Sequence, residues 1–344
     1  MFFKSCEELA FLIYCHQLPR LVFYFNQRRL FPLIDTRLIE HILKIAEEKS
    51  ITKAAEKLFL TQSALNQQLL HLEHELGTPL FKRSKVNWGP TRAGEIYLEG
   101  AREMLRVKQN TYSQISDLTH GYTGTIRVGM TPVRGPDMFI HVYPAFHTEY
   151  PNLVVVPYEL NVFQMQKLVT AGDLDLGFMT LFGSQRDDNE YEDLYEEDIL
   201  IAVPEDWKLE GELPAAEGQR PRLPLLALKD RPMILLRKQT TMRPVLDRLF
   251  RARQMVPRIL FDTANPATIL EMVRAGICCG IVAESTARGF EQGIRYYAFE
   301  KSLHWNVAVS YPKGAFLNQA EKLFIQQARE YWIKKAKAKV QSKE

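Results

Sequence analysis

The chain has 344 residues, of which 46% are hydrophobic and 25% charged. That length asks for two or three domains, and that usage excludes a mainly disordered or low-complexity chain. Lys and Arg number 44 against 41 Asp and Glu, a net charge of +3, so any surface for nucleic acid must be local rather than global. The four cysteines, Cys6, Cys15, Cys278 and Cys279, include no Cys-x-x-Cys spacing, which argues against a zinc ribbon or a disulfide framework and fits a reducing cytoplasm. No apolar run approaches the roughly 20 residues that a membrane span needs.

Residues 1–33 are rich in aromatic side chains, among them Phe2, Phe3, Phe11, Phe23, Tyr24 and Phe25. Glu7 and Glu8 precede the apolar run and no Ala-x-Ala site follows it, so the secretory pattern is not met. The segment reads as an additional helix or an upstream extension, with no assigned role.

From residue 34 the pattern sharpens. Leu38, Ile42, Ile45 and Ala46 fall on one helical face, with Asp35 placed to cap it. A short second helix follows from residue 51, with Thr52 as the expected cap and Ala54 and Ala55 small enough to admit a neighbouring helix. Thr61 then reads as the N-cap of a helix over 62–76, closed by Gly77. Leu65, Leu69, Leu72 and Leu76 are its expected buried stripe, while Gln62, Ser63, Asn66 and Gln67 lead it with amides and a hydroxyl. Such groups read base edges, and two helices joined by a tight turn with a polar-led second helix make a helix-turn-helix. Leu80-Phe81-Lys82-Arg83-Ser84-Lys85 and the turn at 86–90 predict a small wing that lays Lys82, Arg83 and Lys85 along phosphates. Residues 50–92 hold six Lys and Arg against three Glu, a local excess where phosphate contact is expected. A long helix to about 119 follows, with Leu98, Ala101, Leu105, Lys108, Tyr112 and Ile115 as a heptad-like seam for a partner chain.

Thr61-Gln62-Ser63-Ala64-Leu65, Leu72-Glu73, Leu76-Gly77, Leu80-Phe81-Lys82-Arg83 and Thr91-Arg92-Ala93-Gly94 together resemble the signature of the LysR-type transcriptional regulators. Where that family usually has Ser after Ser-Ala-Leu, this chain has Asn66, a departure that bears on which bases are read. The resemblance implies a bacterial regulator that is not an enzyme. It also implies that Gln62, Ser63, Asn66 and Gln67 face the major groove and that Arg83 holds the DNA backbone.

Beyond the expected hinge at 121–124, strands and helices alternate: strands at 125–129, 153–160, 174–179, 199–203, 233–236, 258–261 and 277–282, with helices at 136–150, 162–170, 242–253 and 266–275. That alternation implies βαβ units and a largely parallel sheet. Strands near 296–299 and 306–311 and a helix from 317 to about 335 end the chain. By resemblance, this is an effector-binding region of two Rossmann-like α/β subdomains like periplasmic solute-binding proteins. The expected division is an N-terminal extension (1–33), a winged helix-turn-helix (34–92), a linker and dimerisation helix (93–120) and an effector domain (121–344). Subdomain I would take 121–202 and 285–344, and subdomain II 203–284. Ala171 to Leu176 and Met272 to Ile277 match the family pattern closely.

A ligand is expected between the subdomains, at strand C-termini and helix N-termini. Thr131, Arg134, Thr180, Thr240, Thr241, Thr263 and Asn265 carry that address, with Arg237 and Arg243 as further guanidinium groups nearby. Hydroxyls and guanidinium groups suit a small anionic metabolite. Cys278 and Cys279 read as core thiols, His71 and His74 with Glu75 as a solvated face, and Lys334, Lys335, Lys337, Lys339 and Lys343 as a solvated end. No Walker loop, Gly-x-Gly-x-x-Gly, Gly-x-Ser-x-Gly or His-Glu-x-x-His is present, so no cofactor, metal or catalytic residue is expected. The expected partners are double-stranded promoter DNA, a small effector, a second or fourth copy of the chain and RNA polymerase, with no membrane. An α/β binding protein or enzyme whose helical N-terminal domain does not read DNA is the alternative.

Overall fold

The structure, a computed structural model, describes residues 35–83, 88–119, 122–214 and 219–337. The expectations for residues 1–33, and for Lys85, Lys339 and Lys343, lie outside these. The chain divides into two compact units after Leu105.

The first unit is built from α1 (Thr36–Glu48), α2 (Ile51–Lys57), α3 (Gln62–Leu76), the two-stranded wing β1 (Phe81–Arg83) and β2 (Trp88–Pro90), and the start of α4 (Arg92–Thr119). Local chemistry sets each boundary. Asp35 accepts from the Arg37 amide, and Thr61 from the Ala64 amide; Gly77 closes α3 in the left-handed region at φ 69°, where a side chain would be strained. Ser50, rather than Thr52, caps α2 by accepting from the Lys53 amide. Ile42, Ile45, Ala54, Ala55, Leu65, Leu69, Leu72 and Leu98 share one core with Leu80 and Phe81.

Two positions depart from the expected stripe. Leu76 is largely exposed, and Glu73 is buried instead. Its Oε1 accepts from the Leu80 amide at 2.8 Å and from Phe81 at 3.3 Å. The carboxylate thereby satisfies amides that the short wing leaves without partners, which compensates its desolvation. Thr91 fixes the next junction: its hydroxyl donates to the Pro79 carbonyl at 2.7 Å and accepts from the Gly94 amide at 3.0 Å. Gly94 has no room for a side chain, because a Cβ there would lie 2.0 Å from the Leu80 carbonyl oxygen.

The second unit holds the rest of α4 and a ten-stranded sheet. Its elements are β3 (Gly124–Met130), α5 (Gly135–Glu149), β4 (Leu153–Glu159), α6 (Val162–Ala171), β5 (Leu176–Leu181), β6 (Glu190–Pro204) and β7 (Arg222–Leu223). They continue with β8 (Pro232–Leu236), α7 (Met242–Ala252), β9 (Arg258–Thr263), α8 (Pro266–Arg274), β10 (Cys279–Ala283), α9 (Glu284–Ala287), β11 (Ile294–Phe299), β12 (His304–Tyr311) and α10 (Gln319–Lys337). β4, β3 and β5 are parallel, as are β10, β8 and β9. These are the two expected βαβ layers, each with its own apolar core.

β6 joins them. Its residues from Glu190 to Asp198 pair antiparallel with β12, and those from Ile199 onward with β10 and β11. The chain therefore crosses at Asp198–Ile199, short of Val203. It also returns later than Glu284, because β11 still pairs with the second half of β6. The first half of β6, Glu-Tyr-Glu-Asp-Leu-Tyr-Glu-Glu-Asp, carries no apolar alternation, so its strand character is set by pairing with β12 rather than by its own pattern. Asp175, just before β5, takes the Arg127 side chain through two bonds, at 3.1 and 2.7 Å, and the Arg127 amide at 2.7 Å. This pins β3 to the turn after α6.

Candidate functional site

In the first unit, Thr61, Gln62, Ser63 and Gln67 are exposed at the leading end of α3, and Asn66 is half-buried. The neighbouring Gln68 is held by His41, with 2.7 Å between Nδ1 and Oε1. The front of α3 thus offers amides and hydroxyls to solvent, while Leu65, Leu69 and Leu72 fix its back in the core. Lys82 is exposed on β1, opposite Gly89. Phe81 and Trp88 stack across the wing with centroids 5.0 Å apart. The unit presents a polar helix end and a strand carrying the exposed Lys82, which suit a major groove and its flanking phosphates.

In the second unit the sequence-selected residues divide. Thr180 and Thr241 meet: the buried Thr241 hydroxyl donates to the Thr180 carbonyl at 2.9 Å, and Gln185 donates to the Thr241 carbonyl at 2.7 Å. These bonds tie the loop after β8 to the end of β5, and so join the two sheets' layers. The other threonines serve their own turns. Thr240 donates to the Arg237 carbonyl at 2.8 Å; Thr263 accepts from the Asn265 amide at 3.1 Å; Asn265 caps α8 by accepting from the Ala267 amide at 3.0 Å. The Thr131 carbonyl accepts from the Gly135 amide at the start of α5.

The guanidinium groups are mostly committed. Arg243 is buried and bonds Asp247 at 2.8 Å, Asp262 at 2.6 Å and the Leu236 carbonyl at 3.0 Å. It is a structural cation, not a free receiver for a ligand. Arg134 bonds Glu197 at 2.6 Å and the Ser285 hydroxyl at 2.6 Å, and lies over the Trp305 ring. Arg237 is exposed, and no carboxylate among the described residues lies within ion-pair distance of it.

Glu197 was not selected from the sequence. Its side chain is fully buried, with Oε1 accepting from the Ser285 amide at 2.6 Å and Oε2 from the Trp305 indole at 2.8 Å as well as from Arg134. Burial alone would push its carboxyl up, but the Arg134 charge and the bonds from Arg134, Ser285 and Trp305 outweigh burial and hold it below the usual carboxylate range. The only sequence signal was a Glu near the end of an acidic stretch, which usually marks a solvated surface.

Cys278 and Cys279 are buried, as expected of core thiols. Burial pushes the first thiol up to about 11 and the second up to about 12, so neither is a thiolate near neutral pH. His71 is exposed and pairs with Glu75. Lys335 departs from the solvated reading, since it pairs with Asp137 on α5.

Residues 36–95 match the model described as bacterial regulatory helix-turn-helix protein, lysR family, and residues 119–333 match the LysR substrate binding domain. The chain belongs to the LysR family of transcriptional regulators. Among its relatives is an uncharacterized HTH-type transcriptional regulator, YcgK of Bacillus subtilis, 24% identical over 307 residues, or 86% of this chain and 94% of that protein. The regulator XapR of Escherichia coli is 26% identical over 287 residues, 80% of this chain and 92% of that one. In fold, a full-length OxyR from Pseudomonas aeruginosa matches 86% of this chain and 98% of its own, with a TM-score of 0.62 at 20% identity. The chain is a DNA-binding transcriptional regulator with an effector-binding domain, not an enzyme. Among the described residues, no helix is long and apolar enough to cross a membrane.

Proposed function

We propose that this LysR-family chain reads promoter DNA through Gln62, Ser63, Asn66 and Gln67, steadied on phosphates by Lys82, Arg83 and Lys85. We further propose that it does so as a dimer built on α4, under the control of a small anionic metabolite received between the two sheet layers. The observation that carries the reading is the polar, exposed leading end of α3 set on a fully packed apolar back. Dimerisation through α4 is supported by Val107, Tyr112, Ile115 and Leu118, which are exposed along its second half, Leu118 at 82%. An apolar stripe of that kind favours burial against another copy. Two such dimers joined through their effector domains would make a tetramer, and RNA polymerase is the further partner expected at the promoter. Symmetric dimers predict half-sites about one helical turn, roughly 10 base pairs, apart.

Control by a ligand is supported by the single strand β6 that serves both layers and by the Thr241–Thr180 tie that closes them. A ligand with different affinity for the closed and open arrangements would shift the balance between them. With Arg134 and Arg243 engaged internally, the exposed Arg237 is the guanidinium left to meet a carboxylate in the loop after β8. A gel shift with DNA from upstream of the gene tests the DNA reading. Gln67→Ala should weaken specific binding with the fold intact, and Arg83→Ala should weaken binding to all sequences and flatten the salt dependence. If both variants bind like the parent, the α3 interface is wrong. Calorimetry against small organic acids tests the effector, and no heat at millimolar concentration would sink the anionic ligand.

A further inference from the structure

A pocket lies between the segment after β10 and the C-terminal helix. It borders the Arg134–Glu197 pair and is lined further by Tyr195, Ser285, Arg288, Trp332 and Lys335. Three cations thus line it; Arg134 is engaged by Glu197 and Lys335 by Asp137, so Arg288 is the one not committed to a carboxylate among the described residues. Arg288 donates to the Lys335 carbonyl at 2.5 Å. No carboxylate among the described residues lies within ion-pair distance of it. The decisive group is Trp332. It is 6% exposed, and its indole Nε1 has no hydrogen-bond partner. Buried N–H groups are nearly always paired, so an orphaned donor on a side chain that lines a cationic pocket calls for an acceptor. The side chains able to meet such a ligand are Arg288, Trp332 and the one Lys335 N–H left over from its bonds to Asp137 and Tyr331, and all have only N–H donors to offer. The matching ligand is an acceptor with negative charge and no donor of its own.

We propose that this pocket is an oxyanion seat that takes the carboxylate or phosphate group of a small metabolite. The proposal rests on the reading of the second unit as a ligand sensor. Arg288 belongs to the chain between β10 and β11, which pair in the second sheet layer, whereas Trp332 and Lys335 belong to α10, packed on the first. An anion held by all three adds a link between the layers beside Glu197. Occupancy therefore favours one arrangement of the layers over another.

The test is a titration of the full chain labelled with ¹⁵N at its indoles. Sodium phosphate and sodium acetate are added separately, with ionic strength held by sodium chloride. The chain has four tryptophans, and Trp332→Phe assigns the resonance in question. A saturable downfield shift of that indole is expected with at least one anion, and which anion acts names the group preferred. Arg288→Gln should weaken the response about tenfold or more. Its hydrogen bond is to a carbonyl, so the fold should survive, and the other three indole resonances report whether it does. Lys335→Met gives a second variant on the other side of the pocket. Absence of a saturable shift with both anions up to about 50 mM, or equal titration of parent and both variants, would overturn the seat. A gel shift on the same sample separates the two ideas: a silent indole with intact operator binding removes only the seat, while lost operator binding removes the regulator reading and leaves the titration standing.

Discussion

Glu321 makes the stability of the effector unit depend on pH in a direction that can be worked out. It stands in the first turn of α10 and shares a reciprocal cap with Asn318: its Oε2 accepts from the Asn318 amide at 2.8 Å, and its own amide donates to Asn318 Oδ1 at 2.9 Å. Burial pushes its carboxyl from 4.5 up to about 7; the Asn318 amide pulls the other way, while Asp175 and Asp117 add to the rise and Lys322 opposes it. The folded state therefore keeps a proton that the unfolded chain has lost. This contribution to stability is full below the unfolded value of 4.5 and falls as pH rises toward about 7. At 1.36 kcal/mol per unit, the ionised carboxylate costs the folded state at most about 3 kcal/mol at pH 8. Glu321→Gln keeps a carbonyl acceptor for the Asn318 amide and does not titrate. Relative to the parent, it should be nearly neutral at pH 5 and stabilising at pH 8, raising the thermal midpoint of the effector unit by roughly 6–12 °C. Thermal melts of both proteins at the two pH values measure the difference. A gap that does not change with pH, or one that narrows as pH rises, would refute the reasoning.

Three further outcomes follow from the packing. Gly94→Ala would place a methyl group against the Leu80 carbonyl oxygen, so the DNA-binding unit should lose about 2 kcal/mol or more; a variant melting within a degree of the parent would contradict the close approach. Thr241→Val removes the bond to the Thr180 carbonyl and leaves that buried acceptor short of a partner. A loss of about 1–3 kcal/mol is expected, together with faster amide exchange in the loop before α7, and unchanged exchange would deny the tie its role. Leu118→Asp puts a charge on the exposed stripe of α4 and should shift the chain toward monomers in light scattering, whereas an unchanged mass would place the dimer contact elsewhere.

Most of the helical framework was legible in the sequence because it is set by neighbours a few residues apart. Asp35, Thr61 and Gly77 act on amides and backbone angles within one turn, and Leu65, Leu69 and Leu72 form a face by spacing alone. The central parallel strands β5 and β8 were legible because buried strands read as apolar runs. The polar strand segment from Glu190 to Asp198 was not, since no local pattern separates a paired acidic strand from a loop. The same limit hid the sites. Arg134 meets Glu197 across 63 residues and Ser285 across 151, and nothing near any of them announces the others.

The sequence by itself determined the regulator class, the caps of α1 and α3 and the two βαβ layers, all through local spacing or through motifs a few residues long. Only the tertiary structure decided which polar groups went inside. Glu73 is buried because the wing leaves amides to satisfy, and Glu197 because Arg134, Ser285 and Trp305 converge on it. Trp332 and Lys335 line a pocket because α10 folds back over the first sheet layer. Desolvation makes a buried charge costly until its partners are in place, and those partners are fixed by the folded chain, not by spacing along it.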